Sequence, residues 1–133
     1  MSALLVDTHT AIWFVHKDPR ISRAAIWALR ESTNAGDPIF IASISFVEMS
    51  YLAEKGRISW EARRRVLDSL DASTAALQMI PLDRAVIDAI GDVPRSAVPD
   101  LPDRVIAATA LAYGLTIVTK DAEIRACGVT TIW

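Results

Sequence analysis

Short, unbroken apolar runs alternate with segments of helical period along the whole chain, and this alternation restricts the fold more than any other feature. Leu4-Leu5-Val6, Ile39-Phe40-Ile41, Leu77–Leu82, Leu115–Val118 and Val129–Ile132 each have the length of a strand. They do not alternate apolar with polar, which predicts burial on both faces. Between them the spacing predicts helices over Thr8–His16, Ser22–Ser32, Ser43 or Ser45 to Lys55, Ser59 to about Ala72, Asp83–Gly91, Asp103–Tyr113 and Asp121–Ala126. Ser and Asp supply the caps, and Pro19, Gly56 and Gly114 supply the stops. The expected architecture is therefore α/β: a three-layer α/β/α sandwich around a central, mainly parallel five-stranded sheet. Small side chains at Ala107, Ala108, Ala110 and Ala112 would let the penultimate helix lie close to that sheet.

With 133 residues and no linker or internal repeat, residues 1–133 are expected to form one domain. A hydrophobic fraction of 52% against 23% charged excludes a disordered or low-complexity chain. The single Cys127 excludes an intramolecular disulfide framework and cysteine-rich zinc sites. A net charge of -2 offers no global basic field, so a nucleic-acid partner must be met by local patches or through a bound cation. The N-terminal apolar run lacks a basic flank and meets Asp7 too early for a secretory leader. The longest uncharged stretch, Val105–Thr119, is shorter than the roughly 18 apolar residues of a membrane span. A soluble, cytoplasmic protein without a membrane partner is expected.

In open parallel sheets ligands bind beyond the carboxyl ends of the strands, where strand order reverses. Asp7 leaves the first predicted strand and Asp121 follows the fourth. Each taken singly is an ordinary helix N-cap. Glu48 shares a stripe with Ile44, Val47, Tyr51 and Leu52, although Ser45-Phe46-Val47-Glu48 also fits a capping box. Asp103 lines up with Ile106, Ala107 and Ala110, and Asp100 is placed to cap that helix. Neighbouring strands lie about 5 Å apart, so Asp7 and Asp121 could share an ion if their strands are adjacent. Two carboxylates about 4 Å apart repel by about 4 kcal/mol at an effective dielectric of 20, so a cluster without basic partners calls for a divalent ion. All-oxygen ligands point to Mg2+ or Mn2+ and to phosphate chemistry.

Four segments in order, Asp7-Thr8-His9, Ser45-Phe46-Val47-Glu48, Asp100-Leu101-Pro102-Asp103-Arg104-Val105-Ile106-Ala107 and Thr119-Lys120-Asp121, resemble the PIN-domain ribonucleases, and most closely the VapC-type toxins of toxin–antitoxin pairs. The resemblance spans nearly the whole chain. It implies a Mg2+- or Mn2+-dependent endoribonuclease toxin with catalytic Asp7, Glu48, Asp103 and Asp121. Of these, Asp7, Asp103 and Asp121 would be metal ligands, and Glu48 would bind the ion or act as general base. Thr8 and Thr119 fall where the family often has an orienting hydroxyl, and Asp100 is a possible peripheral ligand. Leu101-Pro102 replaces the more usual Pro-Phe, with altered local packing as the expected result. The resemblance also implies a structured RNA substrate, a cognate antitoxin and a homodimer.

Arg104 and Lys120 flank the acids and are candidate phosphate contacts, whereas Arg63-Arg64-Arg65 is expected to be a solvated helix face. His9 and His16 have no partner at ligand spacing and are expected to be structural. Trp27, Tyr51, Leu52 and Trp60 suggest a homodimer or antitoxin face. Two rival readings remain at this level. A phosphoacceptor, receiver-like domain would use Asp7, Lys120 and an acceptor such as Asp83, but it leaves Glu48 without a role. A catalytically inactive RNA- or protein-binding module is opposed by the intact acid set.

Overall fold

The computed structural model describes residues 3–71 and 77–133. Its sheet consists of β1 (Leu4–Val6), β2 (Ile39–Ala42), β3 (Leu77–Ile80), β4 (Thr116–Val118) and β5 (Thr131–Ile132). The helices are α1 (Thr8–Val15), α2 (Arg23–Asn34), α3 (Ile44–Glu54), α4 (Trp60–Asp71), α5 (Arg84–Ala89), α6 (Leu101–Tyr113) and α7 (Ala122–Ala126), with a 3-10 turn at Ile90–Asp92. The expected end of α4 at Ala72 lies outside the described residues. Strand order is β3-β2-β1-β4-β5 and every pairing is parallel. The sheet is thus wholly parallel, beyond the mainly parallel one expected.

Uninterrupted apolar sequence is explained by burial on both faces. Each residue of β1 and β4 is buried. Leu4, Val6, Ile39 and Ile41 pack toward α1–α4, with Leu29, Met49 and Val66 fully covered. Leu5 and Ile117 belong to the opposite layer's core, with Ile106, Ala107 and Ala110 of α6 and with Val86 and Val98. Strand β3 lies at the sheet's edge and leaves Gln78 and Met79 exposed.

Strands β3 and β5 are shorter than expected, ending at Ile80 and starting at Thr131, and the starts of two helices have identifiable causes. Helix α6 starts at Leu101 rather than Asp103, because Asp100 is its cap and Pro102 is tolerated in the first turn, where a backbone N–H is not needed. It ends at Gly114, whose φ of 64° supplies the left-handed C-cap. Of the two openers expected for α3, Ser43 is the N-cap and the helix starts at Ile44, so Ser45 is already inside it and the alternative capping box with Glu48 does not form. The buried side of α3 is Ser45, Phe46, Met49 and Ala53, not the stripe through Val47 and Tyr51. Those two are 51% and 61% exposed.

Topology then sets the address of the chemistry. From the central β1 the chain winds outward through β2 and β3, returns, and adds β4 on the other side of β1. The carboxyl ends of β1 and β4 therefore flank the point where strand order reverses. Val6 pairs with Val118, so Asp7 and Thr119 leave the sheet side by side.

Candidate active site

At this edge a cleft of about 450 Å3 is lined by Asp7, Thr8, His9, Thr10, Trp13, Arg20, Glu48, Asp100, Asp103, Lys120 and Asp121. The acids singled out in sequence thus arrive from the exits of β1 and β4, from α3 and from the start of α6. Each does local structural work as well. Asp7 caps α1 by accepting from Thr10 N at 3.0 Å, and Asp121 caps α7 by accepting from Ile124 N at 2.9 Å. Asp100 caps α6 by accepting from Asp103 N at 3.1 Å. Capping and convergence are therefore compatible, and neither explains the other.

Hydroxyl groups fix the orientation of these acids. Thr119 is fully buried and its Oγ1 donates to Asp7 Oδ2. The same oxygen accepts the backbone N–H of Asp121 at 3.0 Å. Both Asp7 oxygens are thereby engaged. Thr8 Oγ1 donates to Ser45 Oγ at 3.0 Å, and the Thr8 hydroxyl also meets the Glu48 carboxyl. Ser45 thus supports Thr8 from inside the protein instead of capping α3.

Burial and mutual repulsion dominate the electrostatics. Desolvation, reinforced by Asp100, Asp121, Glu48 and Asp7, pushes the Asp103 carboxyl up to about 8. Burial also raises Glu48, with Thr8 and His9 acting in the opposite sense. Among the described residues the two ion pairs, Arg20–Asp18 and Arg84–Asp88, involve none of the five cleft acids.

Nor are any three His, Cys, Asp or Glu side chains among the described residues gathered tightly enough to cage an ion unaided. The donor set nevertheless suits a hard divalent cation. Its members are carboxylates, the cleft is open to water, and Thr10 on its wall carries a buried Oγ1 with no hydrogen-bond partner. Asp7, Asp103 and Asp121 are the residues that would hold Mg2+ or Mn2+, with water completing the shell.

Other expectations change. The Arg104 guanidinium donates to Val93 O at 2.9 Å and to Ile90 O at 3.2 Å. It fastens the loop ahead of α6 and does not line the cleft, whereas Lys120 does. His16 is structural, with Nδ1 against Ile12 O at 2.8 Å, but His9 is exposed on the cleft wall beside Trp13. Arg63 is tied to Ser50 Oγ at 2.9 Å and lies over Trp60. Asp83 caps α5 and accepts from the Tyr113 hydroxyl, and it does not line the cleft with Asp7 and Lys120 as the acceptor of a receiver-like domain would. Trp13 and Arg20 are cleft residues that the sequence reading missed. The Asp18-Pro19-Arg20 spacing signals a local carboxylate–guanidinium pair, but not its approach to the cleft.

A parallel sheet with carboxylates gathered at its switch point defines the class, and comparison with known proteins defines the family. Residues 4–129 match the PIN domain, and the chain belongs to the PIN-domain family, within which it is of the VapC type. It is 32% identical over 125 residues to Ribonuclease VapC22 of Mycobacterium tuberculosis, covering 94% of this chain and 92% of the relative. Its fold is similar to that of VapBC2 from Rickettsia felis bound to a DNA fragment from its promoter, with a TM-score of 0.71, 18% identity and coverage of 97% and 96% of the two chains. It is also similar to PAE2754 from Pyrobaculum aerophilum, with a TM-score of 0.62, 18% identity and coverage of 98% and 83%. Among the described residues no helix is long and apolar enough to cross a membrane.

Proposed function

We propose that the chain is a Mg2+- or Mn2+-dependent endoribonuclease toxin that hydrolyses phosphodiester bonds of structured RNA and is silenced by a cognate antitoxin. The observation that carries this reading is the set of carboxylates Asp7, Glu48, Asp103 and Asp121, brought by four separate segments to one cleft and left without ion-pair partners among the described residues. The 32% identity to a protein named a ribonuclease supports the reaction class.

A bound Mg2+ or Mn2+ would activate water and neutralise charge on a phosphoryl oxygen. The protein's part is positioning. Asp7, immobilised by Thr10 N and the Thr119 hydroxyl, is a preoriented ligand. Asp103 and Asp121, which line the same cleft, would complete the ligand set. Glu48 accepts the proton of the attacking water, and the burial that raises its pKa makes it more basic than an ordinary carboxylate. Lys120 binds a substrate phosphate next to Asp121.

Partner surfaces follow from exposed aromatics. Trp27 is 65% exposed above an apolar groove formed with Leu4, Ala24, Ala28 and Ile132, which suits an antitoxin segment. The VapBC complexes of similar fold support such a partner. Val47, Tyr51 and Leu101 line a second groove between α3 and α6, which suits a second copy of the chain.

Incubation of purified protein with structured RNA tests the reaction. Cleavage is expected with Mn2+, with loss in EDTA and in Asp7→Asn. Cleavage that survives both would belong to a contaminant and would remove the proposal.

A further inference from the structure

We propose that Arg20 is a preoriented clamp for an RNA backbone phosphate at the mouth of the acidic cleft, held in place by Asp18 and Trp13. This inference rests on the RNA-cleaving reading above.

The cleft presents five carboxylates to a substrate that is itself a polyanion. Even with a divalent ion bound, phosphates flanking the scissile bond need cations at the rim. Among the cleft-lining residues the Lys and Arg side chains are Lys120 and Arg20. Lys120 is exposed and makes no ion pair among the described residues. Arg20 is also exposed, but its guanidinium is held.

That hold is built from the α1–α2 turn. Asp18 N donates to Trp13 O at 2.8 Å, after Lys17 takes a left-handed φ of 54°. Asp18 then accepts from Arg20 three times: from backbone N at 2.9 Å, from Nε at 3.0 Å and from Nη2 at 2.7 Å. The guanidinium carbon lies 5.1 Å from the centroid of the Trp13 ring. Trp13 is itself buried and packs against Trp133. An arginine has five N–H donors, so the two used here leave three for a ligand.

Stability alone accounts poorly for this arrangement. A surface ion pair between residues two apart in one loop contributes little to folding stability. What the fork and the ring do supply is orientation. They remove rotamer freedom from a side chain that would otherwise lose it on binding. An oriented guanidinium beside open cleft volume matches the bidentate geometry of a phosphate.

The test is binding of a fluorescein-labelled RNA hairpin, followed by anisotropy in EDTA and in Mn2+ across a salt series, together with steady-state cleavage. For Arg20→Ala we expect roughly 5- to 20-fold weaker binding and a log Kd versus log salt slope reduced by about 0.7–0.9. KM should rise while kcat stays within about twofold. Arg20→Lys should restore the salt slope but only part of the affinity, because it keeps the charge without the fork. Asp18→Asn should bind RNA more weakly than wild type although it removes a negative charge, because the guanidinium loses its orientation; tighter binding would show a simple field effect and overturn the preorientation. Wild-type binding that is unchanged in Arg20→Ala overturns the clamp and leaves the nuclease reading standing, including where that variant weakens antitoxin binding instead. Wild-type protein that binds no RNA under either condition overturns both.

Discussion

Thr119 and Asp7 are 112 residues apart in sequence, and the buried hydroxyl of the first donates to the carboxylate of the second. The same oxygen accepts the N–H of Asp121, so one side chain ties together the acids that leave β1 and β4. Thr119→Val keeps the shape and removes the hydroxyl. Loss of a buried hydrogen bond to a charged group should cost about 1.5–3 kcal/mol in stability, read as a lowered urea midpoint. RNA cleavage should fall at least about tenfold, the scale set by a ligand's missing outer partner, and Thr119→Ser should recover most of it.

Asp103 makes the metal-free protein sensitive to pH. Its folded-state pKa, about 8, lies above the ordinary 3.8, so between those values the folded chain binds a proton that the unfolded chain does not. Its contribution to stability is fully present below about pH 4 and is lost as pH rises through 8. Melting in EDTA should therefore occur at lower temperature at pH 8 than at pH 5.5. Asp103→Asn should melt higher at pH 8 and flatten the dependence. A profile unchanged by the substitution would show that the acids do not repel one another.

Glu48 offers a clean separation of chemistry from folding. No capping box forms in α3, so Glu48→Gln removes no cap. Its melting temperature in EDTA should be unchanged or higher, since burial disfavours the charged form. Cleavage should drop by about 100-fold or more, as expected for a general base. Equal losses of stability and activity would instead mark the residue as structural.

Arg104 is expected to behave oppositely. Its guanidinium holds the carbonyls of Ile90 and Val93, and charged hydrogen bonds of this kind contribute about 1.5–3 kcal/mol. Arg104→Ala should lower the denaturation midpoint accordingly. At temperatures where it remains folded, its KM for RNA should match wild type.

The sheet and the four acids were legible because both leave local marks. Apolar runs such as Leu4-Leu5-Val6 announce strands buried on both sides, and Asp7, Asp103 and Asp121 announce themselves at a strand exit or helix start, whereas Glu48 was singled out by a stripe that the fold leaves exposed. The burial of α3 was not legible. Val47 and Tyr51 form an apolar stripe as good as the one that packs, and only the sheet decides which stripe is covered. Arg104 beside an acid looked like a phosphate contact, yet two loop carbonyls 11 and 14 residues upstream claim its donors. Arg20 reaches the cleft through a turn whose direction is set by Lys17 and Asp18, which no spacing rule conveys.

In the proposed site, Asp7, Asp103 and Asp121 together hold one hard divalent cation. Titration of Mn2+ followed by electron paramagnetic resonance, in which the free-ion signal disappears on binding, measures this directly. The wild-type protein should bind Mn2+ saturably, and Asp7→Asn, Asp103→Asn and Asp121→Asn should each bind at least about tenfold more weakly while remaining folded. Wild-type protein that leaves the free Mn2+ signal unchanged into the millimolar range, or three variants that bind as well as wild type, would contradict it.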